Sequence, residues 1–108
     1  MRRVIVRVDG MRAALLEEVE VGRRYRLVYL AGYDGPPVSL TLPSRREPYE
    51  FEGFPPFFEG LLPEGQQLEG LLRQARLDGG DLLGQLIAVG SDLVGAVTVE
   101  ETASEDPA

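Results

Sequence analysis

Residues 2–30 read RRVIVRVDGMRAALLEEVEVGRRYRLVYL, and the architecture turns on how this stretch is parsed. Val4, Val6 and Val8 alternate with Arg3, Ile5 and Arg7, the period of two expected of a strand with one buried side. Asp9-Gly10 follows, a dipeptide that tolerates the positive φ of a tight hairpin turn. Met11 to Val21 is less regular, but Leu15 and Leu16 fit a strand and Glu18 to Val21 alternates again before Gly22 interrupts it. Arg23 to Leu30 then sets Tyr25, Leu27 and Tyr29 against Arg24, Arg26 and Val28. Beyond a Gly- and Pro-rich loop (AGYDGPP, residues 31–37), Val38, Leu40 and Leu42 alternate with Ser39 and Thr41 until Pro43 stops the run. Four strand patterns with short connections predict an antiparallel meander.

The pattern changes character after Ser44. Pro55-Pro56 suits a first helical turn in FPPFFEGLL. A helix is expected from Glu64 or Gly65 to Leu77, with Leu68, Leu71, Leu72 and Ala75 recurring on one face. Glu69 and Arg73 support it at i, i+4, while Gly70 weakens it by about 1 kcal/mol relative to Ala. Asp81 is a natural N-cap for a second helix to Val89, striped by Leu82, Leu83, Leu86 and Ile87 and closed by Gly90. Leu93 to Val99 reads as a closing strand. The order implies an α+β fold: a curled, mostly antiparallel sheet with two or three short helices. Its expected core sets Leu68, Leu71, Leu72 and the second stripe against Val4, Val6, Tyr25, Leu27, Val38 and Leu40. A single domain over residues 1–100 and an acidic, disordered tail over 101–108 complete the expectation.

Composition narrows the chemistry. The 108 residues contain no Cys and no His, and every positive side chain is Arg. Thiol nucleophiles, thiolate zinc sites, imidazole bases, Schiff bases and a P-loop lysine are therefore unavailable. Net charge is −7, which opposes direct nucleic-acid binding by the isolated chain. The charge is unevenly placed: residues 1–46 carry nine Arg against five acids, residues 47–108 two Arg against thirteen. No apolar run is long enough for a transmembrane helix, and the N-terminal stretch reads as a strand and not a secretory signal, so a cytoplasmic protein without a membrane association is expected.

Candidate chemistry is sparse. Glu50, Glu52, Glu59 and Glu64 lie near the aromatic segment, but as an acid–base pair they are less economical than as solvated carboxylates. Asp78-Gly79-Gly80-Asp81 lacks the ligand series of a calcium loop, and turn plus N-cap account for it. No catalytic residue, metal ligand or cofactor site is assigned. All four phenylalanines, Phe51, Phe54, Phe57 and Phe58, fall within eight residues beside Pro55 and Pro56. At least two of these rings are expected to plug the open face of the sheet. The other reading is that a ring at the Pro-Pro corner stands exposed and docks into a partner. Phe54, Pro55 and Pro56, flanked by Glu52 and Glu59, are the candidate partner-binding residues.

Three blocks in order, PPVSLTLP (36–43), FFEGLLPEG (57–65) and DLLGQLIAVGSDLVGAVTV (81–99), resemble the N-terminal subdomain of the HipA family of toxin kinases. Gly60 departs from the family pattern, which often has Asn before LLP. Family kinases continue into a core bearing the nucleotide loop and catalytic aspartate, whereas this sequence stops about ten residues after its VGAV strand. In this it is similar to the stand-alone, HipS-type form of split HipBST toxin–antitoxin systems. The resemblance implies a non-enzymatic antitoxin that binds and restrains a separately encoded HipA-like Ser/Thr kinase. A helix-turn-helix DNA-binding antitoxin would then join the same complex. The alternatives are a regulatory subunit or fragment that completes the kinase without inhibiting it, and a small-ligand-binding domain, which would need a sizeable pocket between sheet and helices.

Overall fold

The computed structural model describes residues 1–93 and 95–102. Strands β1 (Arg3–Val8), β2 (Met11–Glu20) and β3 (Arg24–Tyr29) form the expected meander. The fourth strand, β4, is Tyr49–Glu52, and α1 (Pro56–Glu59), α2 (Gly65–Ala75), α3 (Leu82–Val89), a 3-10 turn (Gly90–Asp92) and β5 (Val97–Glu101) follow. The sheet is antiparallel and unclosed, in the order β4-β3-β2-β1-β5. Asp9 (φ 51) and Gly10 (φ 83) take the left-handed conformations that the β1–β2 turn requires.

Val38–Leu42 is not a strand. Pro36 and Pro37 before it and Pro43 after it have no N–H to donate to a ladder, and the segment closes on itself. Leu42 N donates to Ser39 O at 3.0 Å and Thr41 N to Ser39 Oγ at 3.2 Å. Val38 and Leu42 are buried, but Leu40, expected in the core, is 93% exposed.

One face of the sheet carries the core. Val4 lies opposite Leu16, and Leu16 opposite Leu27, so three fully buried side chains form one row across three strands. Val6, Val99, Phe58, Leu83 and Leu86 complete its centre. Phe58 comes from α1 and the two leucines from α3, so these short helices supply the cover. The longer α2 was expected to bury Leu68, Leu71 and Leu72, but it has no buried residue and all three stay half-exposed. Their spacing reports an amphipathic helix; it does not specify a sheet as the partner. Leu82 and Ile87 of the expected α3 stripe are likewise only half-buried.

Helix ends follow local chemistry. α2 stops at Ala75 because Arg76 turns left-handed (φ 55), with Leu77 N donating to Leu72 O at 3.0 Å. Asp81 caps α3, its Oδ1 accepting from Gly84 N at 3.1 Å. Gly90 is not a left-handed cap (φ −50); the chain runs on into the 3-10 turn. β5 continues through Glu101, paired with Val4, and Thr102 N donates to Arg3 O at 3.2 Å. The strand therefore passes the 100–101 boundary expected from sequence. The remainder of the acidic tail, 103–108, lies outside the described residues.

Candidate functional site

The β4–α1 corner gathers the five residues singled out from the sequence. Along β4, Tyr49 and Phe51 turn toward the core while Glu50 and Glu52 are exposed. Gly53 reverses the chain at φ 91, its N–H donating to Arg23 O at 2.7 Å. Phe54 follows, half-buried, its ring edge-on to Tyr25 with 5.2 Å between centroids. Pro55 precedes the first turn in extended geometry and Pro56 occupies its start. Pro55 is below 2% exposed, so it sets the corner from inside and cannot itself touch a partner. Pro56, Glu52 and Glu59 are exposed. Phe58 is core, and Phe57, half-buried, meets it edge-on at 5.1 Å.

Behind Phe54 lies an ionic cluster that sequence reasoning missed. Tyr25 sits directly opposite Glu18 in the β2–β3 register, and its hydroxyl donates to Glu18 Oε2 at 3.0 Å. Glu18, 3% exposed, also accepts from Arg2 Nε (2.9 Å), Arg2 Nη2 (3.0 Å) and Gly22 N (3.1 Å). Arg2 spans to Asp81 through Nη2 (2.9 Å) and Nη1 (3.2 Å). One guanidinium thus ties the start of β1, the end of β2 and the cap of α3 together. The only trace in sequence was the Glu17-Glu18 pair after Leu15-Leu16. Alternation decides which glutamate turns inward: Glu18 shares the face of Leu16 and lies opposite Tyr25, while Glu17 lies on the other face between Arg3 and Arg26.

The electrostatics follow from these partners. Burial pushes the Glu18 carboxyl up, but the bonds from Arg2, Gly22 and Tyr25 outweigh it, and the group lies below the ordinary glutamate range. The Arg2 guanidinium likewise holds Asp81 down against its partial burial. Burial and the Glu18 hydrogen bond push the Tyr25 hydroxyl up to about 12. A cleft of about 660 Å³ opens over the cluster, lined also by Val19, Val21 and Asp78. It lies at the end of the sheet, with Arg2 already hydrogen-bonded to both Glu18 and Asp81. Proton donation would require a carboxyl held up, and both of these are held down. The cluster fixes Tyr25, and through it the corner. Among the described residues no group of three or more carboxylates is placed to hold a metal ion. Among them, too, no helix is long and apolar enough to cross a membrane.

The chain is 30% identical over 79 residues to an uncharacterized protein of Haemophilus influenzae, an alignment spanning 73% of this chain and 74% of that one. A solved structure, the N-terminal domain of HipA toxin, shares the fold at a TM-score of 0.74 and 24% identity, covering 97% of this chain and 96% of that one. The family model of the HipA N-terminal domain matches residues 4–100, from the second residue of β1 into β5. All of the sheet except Arg3 and Glu101 falls inside that span, as do the corner and α3, and the chain belongs to the HipA N-terminal domain family, a family related to toxin–antitoxin systems.

Proposed function

We propose that this chain is a binding module that docks on a separately encoded HipA-like Ser/Thr kinase and restrains it, as an antitoxin. Membership of the HipA N-terminal domain family supports this choice of partner. The observation that carries the reading is the state of Phe54: partly exposed, yet held edge-on by a tyrosine whose hydroxyl is anchored on buried Glu18. Association of two separate chains must overcome roughly 4–15 kcal/mol of lost rigid-body freedom. An aromatic ring already immobilised between Gly53 and Pro55 loses little further entropy on docking. Exposed Glu52 and Glu59 flank it and suit the basic surroundings of a kinase's phosphate-binding cleft. The work assigned to the chain is recognition and no step of chemistry.

Co-purification with a co-expressed HipA-like kinase tests this. Phe54→Ala should fold and weaken capture and restraint of the kinase at least tenfold. Glu52→Arg combined with Glu59→Arg, both exposed, should do the same without touching the core. Full restraint by the folded double variant and by Phe54→Ala would place the interface elsewhere.

A further inference from the structure

The two edges of the sheet are treated differently. At the β5 edge, Asp9 N donates to Ala96 O at 2.9 Å and Thr102 N to Arg3 O at 3.2 Å. The alternation of an antiparallel ladder then turns the main-chain groups of Val99 away from β1, where Gly90 of the 3-10 turn lies against the Val99 carbonyl. At Val99, that edge is covered. At the β4 edge, Gly53 N donates to Arg23 O, so the main-chain groups of Phe51 and Tyr49 face β3. Those of Glu50 and Glu52 therefore point away from the sheet. Both side chains are exposed, and neither makes an ion pair among the described residues.

The outer face of the sheet carries an alternating charge pattern up to this edge. Arg3 pairs with Glu17, Glu17 with Arg26, and Arg26 stands opposite Glu50, an alternating row across four strands. The ion pairs Arg3–Glu17 (3.2 Å) and Arg26–Glu17 (2.9 Å) use up its first three members. A second row runs Glu20, Arg24, Glu52. Both rows end at the open edge on a carboxylate.

We infer that the β4 edge takes an extended segment of a partner chain whose basic residues, two apart, continue these rows opposite Glu50 and Glu52. Backbone pairing supplies the register and cross-strand charge the selectivity. A second copy of this chain does not fit. Antiparallel pairing of two β4 edges through their free groups sets glutamate against glutamate, which is unfavourable. Pro48, Gly53 and the strand's brevity guard the edge against unspecific strands in the same way. The inference rests on the binding reading for who the partner is, and adds how it would be held: the edge beside Phe54 fixes orientation while the ring supplies burial.

The probe is a heptapeptide of alternating valine and arginine, added to the 108-residue chain, with main-chain hydrogen exchange read by NMR. The Glu50 and Glu52 amides should slow at least tenfold at saturation, and a valine–glutamate heptapeptide should leave them unchanged. Glu50→Arg with Glu52→Arg should invert that preference. Failure to bind, binding without protection of these two amides, or equal protection by both peptides would overturn the inference. No kinase enters this experiment, so its outcome is independent of the kinase-capture test of Phe54.

Discussion

Tyr25 meets Phe54 edge-on, with ring planes at 88° and centroids 5.2 Å apart. The contact joins the exposed corner to the buried ionic cluster, because the same tyrosine donates its hydroxyl to Glu18. Ring and hydroxyl can be separated by substitution. Tyr25→Phe keeps the ring and removes one of four donors to a buried carboxylate, a loss of about 1–3 kcal/mol. Thermal melting should drop accordingly while kinase capture by the folded variant stays within about threefold. Tyr25→Leu, which removes the edge-on support as well, should weaken capture by a further order of magnitude.

The cluster also sets a pH profile. Glu18 and Asp81 are held below their ordinary values in the fold, so their contribution is present above the unfolded values, roughly pH 4–4.5. It is lost as pH falls through the lower folded values. Arg2, raised by the same partners, stays charged throughout this range. Glu18→Gln should therefore lie well below the parent in melting temperature at pH 7 and converge on it toward pH 3. Tyr25 acts at the other end: its hydroxyl keeps its proton to about pH 12 in the fold, while an unfolded tyrosine loses it near 10. Stability should fall as pH rises from about 10 to 12, and this fall should be shallower in Tyr25→Phe.

Much of this was legible in the sequence, for physical reasons that differ by element. β1 and β3 were readable because one side of each is buried against a single layer, which enforces a period of two. Asp81 was readable as a cap because a carboxylate next to an apolar run has little else to do locally. Val38–Leu42 misled because alternation says nothing of whether a neighbouring strand is available, and its N–H groups go to the Tyr29 hydroxyl and to Ser39 instead of to a ladder. β4 was obscured by the same logic in reverse: four residues carry too short a pattern, and its strand character comes from pairing with β3. The Arg2–Glu18–Asp81 link was invisible because its members lie 16 and 79 positions apart.

The two helices should respond differently to truncation. Leu86 is 0% exposed and packs in the core beside Leu83, so Leu86→Ala should cost about 2–5 kcal/mol. Leu72 sits on α2, none of whose residues is buried, so Leu72→Ala should cost less than half as much. Melting temperatures of the two variants, measured side by side, check this. Equal losses would mean that α2 is as deeply packed as α3.

Two glycine-to-alanine substitutions should move stability in opposite directions. Gly90 has ordinary helical dihedrals (φ −50, ψ −44), so its backbone tolerates any residue. Its surroundings do not: a Cβ there would sit 2.9 Å from Val99 Cγ2 and collide with the Val99 carbonyl oxygen. Val99 is 2% exposed and paired with Val6 in the middle of the core, so relief requires β5 or the 3-10 turn to move. Overpacking of this kind costs about 1–3 kcal/mol, or roughly 4–8 °C of melting temperature per kcal/mol in a domain of this size. Gly90→Ala should therefore melt earlier and show faster main-chain exchange in β5. Gly70, by contrast, lies in the middle of α2 with nothing within 4 Å of an added Cβ. There alanine relieves the helical penalty of glycine, about 0.8–1 kcal/mol, without a clash. Gly70→Ala should raise the melting temperature by several degrees, and no change at either position would refute the close approach at Gly90 or the helical state of α2 respectively.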